Sequence, residues 1–563
     1  MNTEKEFTGY PSIDKPWLKY HENDHHIVID KKRSLYQHLV TIVENNKDEY
    51  AFVEQLTKRK TTFRDMLEIV DKLAGAMVKA GIEKDMEVGL LSFYAYEEPL
   101  IIFAVNKIGA VLKFISPDAS PNEIKESVDE VDILFIDSFF VPIEPIINAR
   151  NIKTIICEKE ADNVRENCIL FEDFITTSTD DIKFDDTPDS SKPAMIIYSS
   201  GTTGKPKPIV HSNYSVLSAI EKMLNSDFPI NKNNYVFKII PTHIGLGAIT
   251  TILTSIFAGT TYISIKPLDF FQPPECVLSM IIHYKEFIQE CGLDSRKGLL
   301  FFASPIFAGI LALNADKITD LSFIKGMLLA GSKMDTDMID KFNAALIPKG
   351  LKAPLCNGYG QNEMAGAVTL NTVNHYKYGS AGYPVYGTEI KVVDEESHEE
   401  LPYNKEGLIL EKSDSLFLYY DKMPEKSRSA MITLPDGTSW FNSTDLGYID
   451  EDGFVYVTGR TTRVVIRTDH KVSLDYIEEK IRRNPFVKNA ATIALPDNSI
   501  TAFVSVSDNT LESVEDTVKN NSDFSLWETP EKIILLEEIP YMNNGKIDYQ
   551  ALEKMAEGME KRK

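Results

Sequence analysis

Alternating segments of helical and strand pattern constrain the fold of this chain more than any other feature. Residues 88–93 and 132–137 are short apolar runs typical of buried strands, whereas residues 62–81, 99–112 and 121–128 carry apolar residues at helical spacing. Repeated strand–helix–strand units of this size favour mostly parallel sheets with helices on their faces. We therefore predict an α/β fold for most of the chain.

The last hundred residues follow a different pattern. Residues 441–457 are typical of a strand, a turn and a second strand, because Glu-Asp-Gly at residues 451–453 supplies the turn. A short strand over residues 464–467 and a helix over residues 474–483 come after them. This mixture predicts a small α+β unit.

The change of pattern predicts a domain boundary near Gly459 to Arg463. We expect residues 1–460 to form a large N-terminal domain of mostly parallel sheets flanked by helices. Residues 461–563 are expected to form a small, mobile C-terminal α+β domain.

Composition and charge exclude several classes of protein. Of the 563 residues, 43% are hydrophobic and 26% are charged, so the chain can bury a large core and is not disordered overall. Lys and Arg number 60 against 84 Asp and Glu, which gives a formal net charge of -24. Because proteins that bind nucleic acid or anionic membranes do so through basic surfaces, we expect no nucleic-acid partner.

The cysteine and N-terminal patterns favour a reducing compartment. The five cysteines are widely spaced and form no CxxC pair, so neither a zinc site nor a disulfide framework is indicated. Residues 1–7 are polar and lack the apolar core of a signal peptide. We expect a cytoplasmic protein.

Residues 244–265 are uncharged and long enough to span a bilayer, which makes a membrane helix one interpretation. The stretch is interrupted at Gly259-Thr260-Thr261 and is rich in Thr and Ser. This favours a buried helix, a turn and then a strand at residues 262–265, so we expect no stable membrane insertion.

A loop rich in Gly, Ser and Thr, which follows a short apolar strand at residues 195–198, is the strongest chemical signal. The loop residues expected to bind a nucleotide are Ser199, Ser200, Gly201, Thr202, Thr203, Gly204, Lys205 and Lys207. Glycines let backbone N–H groups converge on a phosphate, hydroxyls add donors and lysines offset negative charge. The spacing of a Walker A loop is absent, and a flexible surface turn is the alternative interpretation.

This loop resembles the phosphate loop of the adenylate-forming (AMP-binding) superfamily, which includes acyl-CoA synthetases, adenylation domains of peptide synthetases and luciferases. Four further segments resemble motifs of that superfamily in the same order: GYGQNE at residues 358–363, STDLG at residues 443–447, Gly459-Arg460, and NGKID at residues 544–548. Five ordered motifs extend from the first third of the chain almost to its C-terminus.

The resemblance implies roles for residues in the first two motifs. Glu363, together with Thr203, would hold Mg²⁺ against the phosphates and contribute to catalysis. Tyr359 would stack on adenine, with Gly360 and Asn362 beside the nucleotide. The alternative interpretation of Tyr359 is a core tyrosine.

The resemblance also implies roles for residues in the last three motifs. Asp445 would hold the ribose hydroxyls as an ionised acceptor, and Arg460 would reach the ribose and phosphates. Lys546 would be the catalytic lysine that bridges the α-phosphate and the carboxylate. The alternative interpretations are a turn aspartate for Asp445, a solvated arginine for Arg460 and a solvated lysine for Lys546.

The acid-binding pocket is only partly readable from the sequence. His243 resembles a pocket-lining position of the family, with a buried structural histidine as the alternative, and Gly331-Ser332 resembles a turn that borders adenine. No carboxylate lies near His243 to pair with the ammonium group of an α-amino acid. Residues 299–302 and 306–313 could line an acyl or aryl tunnel or belong to the core.

The chain departs from the family pattern at several motif positions. Pro208 stands where the family usually has Gly, Asn362 replaces Thr, and Thr444 replaces the Gly before the aspartate. Arg463 occupies the position of the hinge residue, where the family mostly has Asp or Lys. The segment at residues 464–470 lacks the glycine that follows this strand in acyl-CoA synthetases, so the identity of the acceptor thiol stays open.

We therefore expect an acid–thiol ligase that uses ATP and Mg²⁺ to activate a small-molecule carboxylic acid as an acyl-adenylate, with CoA as acceptor. One alternative is an enzyme that loads the phosphopantetheine thiol of an acyl carrier protein. The other is a degenerate homologue that binds nucleotide or acyl chains without turnover.

Overall fold

The protein is represented by a computed structural model. The residues that the structure describes are 7–21, 26–117, 119–157, 166–178, 184, 189–199, 207–265, 273–331, 334, 336–352, 355–467, 470–484, 486–506, 524, 527–542 and 546–560.

The strands, in chain order, are β1 (Tyr50–Glu54), β2 (Lys60–Thr62), β3 (Glu87–Leu91), β4 (Val111–Ile115), β5 (Ile133–Ile136), β6 (Thr154–Ile156), β7 (Cys168–Leu170), β8 (Pro193–Tyr198), β9 (Pro208–Ser212), β10 (Asn234–Lys238), β11 (Tyr262–Ser264), β12 (Gly298–Ala303), β13 (Ile324–Leu329), β14 (Cys356–Gln361), β15 (Gly366–Leu370), β16 (Tyr383–Pro384), β17 (Thr388–Val393), β18 (Gly407–Ser413), β19 (Tyr419–Tyr420), β20 (Met431–Thr433), β21 (Ser439–Ile449), β22 (Val455–Arg460), β23 (Val464–Arg467), β24 (His470–Ser473), β25 (Val487–Ala494), β26 (Ile500–Val506) and β27 (Lys532–Leu536).

The α-helices are Pro11–Asp14, Leu35–Asn46, Phe63–Lys79, Glu98–Ile108, Pro121–Val128, Glu144–Ile147, Phe171–Ile175, Asn213–Leu224, Thr254–Phe257, Pro273–Ile282, Tyr284–Glu290, Pro305–Leu313, Thr336–Leu346, Pro424–Ser429, Leu474–Arg482 and Tyr549–Glu560. A π-helix covers Leu246–Leu253. The 3₁₀-helices are Pro16–His21, Ser138–Ile143, Ile347–Lys349, Asn362–Met364 and Thr461–Arg463.

Two large sheets form the body of the protein. The first has the order β16-β15-β14-β13-β12-β10-β11-β1-β2 and is parallel from β14 to β1. The second has the order β19-β9-β8-β4-β3-β5-β6-β7 and is parallel from β8 to β7. Because most strands are parallel and joined through helices, the α/β prediction is confirmed.

One buried apolar cluster joins the two large sheets. It includes Leu90 and Leu112 from the second sheet and Val236 and Leu300 from the first. Helices between the sheets, such as Phe63–Lys79, bury one face in the same cluster. The edges of the two large sheets, where the first two sequence motifs lie, are therefore fixed to one close-packed core.

Smaller sheets follow the two large ones. Strands β17, β18, β21 and β20 form an antiparallel sheet, to which β22 adds by pairing with β21. After Arg460, β23 pairs with β24, and β25, β26 and β27 form a three-stranded sheet. This part mixes strands with the helices Leu474–Arg482 and Tyr549–Glu560. The α+β expectation is met here, whereas the division at residue 460 stays a prediction.

Local signals explain where several helices begin and end. The hydroxyl of Thr62 accepts a hydrogen bond from the backbone N–H of Asp65 at 3.1 Å, which caps the helix that starts at Phe63. The helix predicted over residues 99–112 ends earlier, at Ile108. Gly109 follows with a φ of 79°, and this left-handed residue turns the chain into β4.

The uncharged stretch at residues 244–265 is a π-helix, a short α-helix and then strand β11. Its Thr and Ser side chains bond within the helices; the hydroxyl of Thr251, for example, donates to the carbonyl of Leu246 at 2.7 Å. Within the described part of the chain, no helix combines the length and apolar character that crossing a bilayer requires.

Candidate active site

The predicted phosphate loop joins β8 to β9. The backbone N–H of Ser199 donates to the carbonyl of Lys207 at 3.0 Å, and the N–H of Lys207 donates to Ser199 Oγ at 3.0 Å. These two bonds close the base of the loop. The predicted site residues Ser200, Gly201, Thr202, Thr203, Gly204 and Lys205 lie outside the described residues.

Asn362 connects the base of this loop to two other segments. Its side-chain amide donates to the carbonyl of Tyr198 at 2.6 Å and accepts from the N–H of Gly245 at 3.0 Å. Its own carbonyl accepts from Nε2 of His211 at 2.8 Å. Burial lowers the pKa of His211 to about 4, so this histidine is neutral and serves as a fixed donor.

Glu363 lies beside Lys207, the loop lysine that the structure describes. Its buried carboxylate accepts a hydrogen bond from the hydroxyl of Tyr420 at 2.8 Å and is 3.9 Å from Nζ of Lys207. The Lys207 ammonium also lies 4.9 Å from the centre of the Tyr420 ring. One carboxylate and one cation are thus fixed next to the loop base.

Asp445 and Arg460 face each other across an antiparallel pair. They are directly opposite in the β21–β22 register, and Nε of Arg460 donates to Oδ1 of Asp445 at 2.8 Å. Asp445 is buried, and Ser443 Oγ accepts a hydrogen bond from its N–H at 3.0 Å. Thr444, which lies between Ser443 and Asp445 in sequence, has a φ of 63°, the left-handed conformation that favours glycine.

Tyr359 directs its hydroxyl at two carboxyl groups. The phenol oxygen lies 2.7 Å from Oδ2 of Asp445 and 2.7 Å from Oε1 of Glu411, a fully buried residue on β18. Sequence reasoning missed Glu411, because a glutamate after three apolar residues is also typical of an exposed strand end. Stacking of Tyr359 on adenine stays a prediction.

Gly360 is fixed by a close approach of backbone to backbone. A Cβ at this position would lie 2.2 Å from the carbonyl oxygen of Gly366 on the neighbouring strand. Only glycine therefore fits here without moving the strand that carries Tyr359.

Lys546 lies near the charged residues of the motifs that precede it in sequence. It is half-buried, and its carbonyl accepts from the N–H of Met542 at 2.7 Å. Burial, together with the positive charge of Arg460, lowers the pKa of Lys546 to about 8, while Asp445 and Glu363 act in the opposite direction. The structure thus brings together four predicted residues from four separate motifs.

Arg463 contacts residues that follow it in sequence. Its guanidinium pairs with Asp475 and Glu478 on the helix Leu474–Arg482 and lies 3.8 Å from the centre of the Tyr549 ring. The predicted hinge residue is therefore held against the α+β part of the chain. Its role as a pivot stays a prediction.

His243 is buried in a segment that is fixed from two sides. Burial and the charge of Lys238 lower its pKa to about 4, so it is neutral. The hydroxyl of the adjacent Thr242 donates to Oε1 of Glu98 at 2.9 Å, and Glu98 forms an ion pair with Lys238. Its role in binding an acid stays a prediction.

The turn after β13 is placed only in part. Gly331 has a φ of 97° and is exposed, and Ser332 lies outside the described residues. Nothing on the described side of this turn assigns it a ligand.

A metal ion is the other expected component of the site. The described residues contain no cluster of three or more His, Cys, Asp or Glu side chains suited to a metal ion. Glu363 provides a hard carboxylate oxygen next to the described base of the phosphate loop. This fits Mg²⁺, which is commonly held by one or two carboxylates and the phosphates of a substrate.

Known proteins are similar to this chain in sequence and in fold. The YdaB protein of Bacillus subtilis strain 168 is 27% identical over 534 residues, which cover 92% of this chain and 99% of that protein. The long-chain-fatty-acid–CoA ligase FadD13 of Mycobacterium tuberculosis is 26% identical over 519 residues, covering 88% and 93% of the two chains. The ATP-bound structure of MatB from Rhodopseudomonas palustris has a TM-score of 0.78 at 20% identity and covers 94% and 99%.

The family match covers most of the length of the chain. The model of the AMP-binding enzyme family matches residues 40–421, which include the loop, the GYGQNE segment and Glu411. The α/β architecture and the two motifs that lie within this range agree with this match. The chain belongs to the AMP-binding enzyme family.

Proposed function

We propose that this protein is an ATP-dependent acid–CoA ligase. It would join a carboxylic acid to AMP with release of pyrophosphate, and then transfer the acyl group from AMP to the thiol of CoA. The observation that carries the proposal is the convergence of Lys546 with Glu363, Asp445 and Arg460, although the sequence separates the lysine from Glu363 by more than 180 residues.

In the first half-reaction an oxygen of the substrate carboxylate attacks the α-phosphorus, and the bond to pyrophosphate breaks. Both reactants are anions, so charge neutralisation and positioning must lower the barrier. Lys546 would place its ammonium between the carboxylate and the α-phosphate, and Lys207 would offset charge near the loop. Asp445 would accept hydrogen bonds from the ribose hydroxyls.

Mg²⁺ would be held by Glu363, with Thr203 as the second predicted ligand. When bound, this cation offsets the charge of the phosphates. The hydrogen bond from Tyr420 keeps the Glu363 carboxylate oriented, and the nearby Lys207 adds positive charge on the same side.

In the second half-reaction the thiol attacks the acyl carbon, and AMP leaves. The relation to a long-chain-fatty-acid–CoA ligase supports CoA as acceptor over a carrier-protein phosphopantetheine and over a protein without turnover. We propose that the residues from about Thr461 turn about Arg463 between the half-reactions. A reducing cytoplasm suits a chain with five free cysteines.

The acid substrate is proposed to be a fatty or aromatic acid. The segment around His243 offers a neutral histidine, and Glu98, the carboxylate that the adjacent Thr242 contacts, is already paired with Lys238. An ammonium group on the substrate would therefore find no charge partner in this segment.

Carboxylate-dependent ATP–pyrophosphate exchange tests the proposal. Fatty, aromatic and amino acids are supplied in parallel without a thiol, and CoA is then added with the active acid. Exchange with one class and appearance of a CoA thioester are expected. Exchange without thioester formation would favour a carrier protein as acceptor, and ATP binding without exchange with any acid would favour a protein without turnover.

A further inference from the structure

Near the predicted nucleotide site, one phenol oxygen lies within hydrogen-bond distance of two carboxyl oxygens. The Tyr359 hydroxyl oxygen is 2.7 Å from Asp445 Oδ2 and 2.7 Å from Glu411 Oε1. A phenol has one proton to donate, and an ionised carboxylate can only accept. Two ionised carboxylates would leave one of these short contacts without a proton, so one carboxyl group must be protonated.

The surroundings identify the protonated group. Asp445 forms an ion pair with Arg460, whose Nε lies 2.8 Å from Oδ1 of Asp445. Glu411 is fully buried, and its second oxygen, Oε2, has no hydrogen-bond partner among the described residues. Burial, the charge of Asp445 acting in the same direction, raises the pKa of Glu411 to about 8.

The other groups that face Glu411 agree with this assignment. Gln361 donates to Oε1 of Glu411 at 2.9 Å and carries no charge. Lys222, on the helix Asn213–Leu224, is the basic group on this side, and its ammonium nitrogen bonds Ser415 Oγ at 2.7 Å and the carbonyl of Met364 at 3.0 Å. Burial lowers the pKa of Lys222 to about 7, so it provides little positive charge to ionise Glu411 above neutral pH.

We propose that Glu411 is a positioning residue for nucleotide binding. Its carboxylic acid donates a hydrogen bond to the Tyr359 oxygen, which frees the Tyr359 O–H to donate to Asp445. Asp445 is thereby held from two sides, by Tyr359 and by Arg460, in one orientation toward the ribose. The proposal rests on the proposed function, since Asp445 is taken as the ribose-binding residue.

A dependence on pH follows from this arrangement. When Glu411 loses its proton, two carboxylates compete for one phenol proton, and Asp445 is no longer held in place. The acid form is required, so the affinity for nucleotide is full below the pKa of Glu411 and weakens as the pH rises through it. A fixed donor at position 411 should remove this dependence.

The test is the Kd of AMP, measured by calorimetry from about pH 6.5 to about pH 9.5 without any acid substrate. Glu411→Gln keeps a donor at every pH, whereas Glu411→Leu has none. As the pH rises across this range, the Kd of the wild-type protein should increase several-fold, and the Kd of Glu411→Gln should change less. Glu411→Leu should weaken binding by up to about tenfold at pH 7, the value of one hydrogen bond, with less effect on 2′-deoxy-AMP.

Glu144→Gln is the matched control, because Glu144 is also buried but accepts hydrogen bonds from Asn148 and Thr154, which belong to none of the motifs. Its AMP affinity should follow the wild-type curve. A Glu411→Gln variant with the wild-type pH dependence, or a folded Glu411→Leu variant with wild-type affinity, would overturn the proposal. Absence of ATP–pyrophosphate exchange alongside the expected AMP curves would instead count against the proposed function alone.

Discussion

The side-chain amide of Asn362 donates to the carbonyl of Tyr198 at 2.6 Å, across 164 residues of sequence. The same amide accepts from the N–H of Gly245 at 3.0 Å. Asn362 therefore fixes the strand end before the phosphate loop and the segment that holds His243 to one another. The threonine that the family usually has here is shorter, so the asparagine departs from the pattern by adding a bridge.

Replacing Asn362 by Ala should damage nucleotide and acid binding together. Loss of the bridge leaves the Tyr198 carbonyl and the Gly245 N–H without this partner, at a cost of about 1–3 kcal/mol in unfolding free energy. We expect kcat/KM of the exchange reaction to fall by about tenfold or more, because misplacement of a binding segment is costly. Exchange kinetics and urea unfolding measure the two effects.

Asn148→Ala provides the comparison for that variant. Asn148 is a buried amide that bonds Glu144, Thr154 and Ile152 away from the motifs. It should lose stability of the same order and keep its exchange kinetics. Similar kinetic losses in both variants would show that instability, and not the bridge, explains the effect.

Lys546→Ala should separate the two half-reactions. The ammonium is proposed to stabilise charge in the adenylation step, and removing such a group typically costs about 10²–10³-fold in rate. Thioester formation from a supplied acyl-adenylate and CoA should change much less. Lys554→Ala, at an exposed position of the C-terminal helix, is the control and should leave both rates unchanged. Equal loss of both half-reactions would remove the assigned role.

The rate of adenylation should fall as the pH rises through about 8. The pKa of Lys546 is lowered to about 8 by burial and by Arg460, and only the protonated amine can bridge two anions. The active form thus predominates below this pH and is lost above it. The kcat of exchange at saturating ATP and acid follows this titration. In Lys546→Arg the alkaline limb should move upward, because a guanidinium stays protonated; an unmoved limb would assign the titration to another group.

Thr444→Gly should stabilise the protein. Thr444 has a φ of 63° and an exposed side chain, and the left-handed conformation costs an L-residue about 1–2 kcal/mol. After the greater freedom of glycine in the unfolded chain is allowed for, we expect a gain of about 1 kcal/mol in urea unfolding. Thr444→Ala, which keeps the Cβ, should gain less. A destabilised glycine variant would mean that the threonine hydroxyl or methyl contributes more than the strain costs.

Local sequence signals predicted much of the fold. The helix Pro121–Val128 has the predicted bounds, because Ser120 caps it and Pro121 suits its first turn. The strand Val464–Arg467 also has the predicted bounds. The helix at residues 99–112 was predicted too long, because periodicity continues past Gly109 although the backbone does not.

Site residues could be predicted from the sequence where they belong to a motif. Residues that reach the site only through tertiary contacts could not be predicted. Asp445, Arg460 and Lys546 were identified from motifs, and the structure places them near each other. The contacts of Glu411 could not be read from the sequence, because they depend on the β18–β21 register and on the position of Tyr359. The residue pattern of a strand specifies which face is buried, but not which polar group meets it.

The first strand of the chain has a partner that is made long after it. β1 pairs in parallel with β11, with Phe52 opposite Tyr262, about 210 residues later. At a synthesis rate of about 5–20 residues per second, the ribosome takes on the order of 10–40 s to make that partner. During this time the backbone groups on one edge of β1 lack their hydrogen-bond partners. Fragments that stop before β11 keep this edge open, and we expect them to aggregate when expressed.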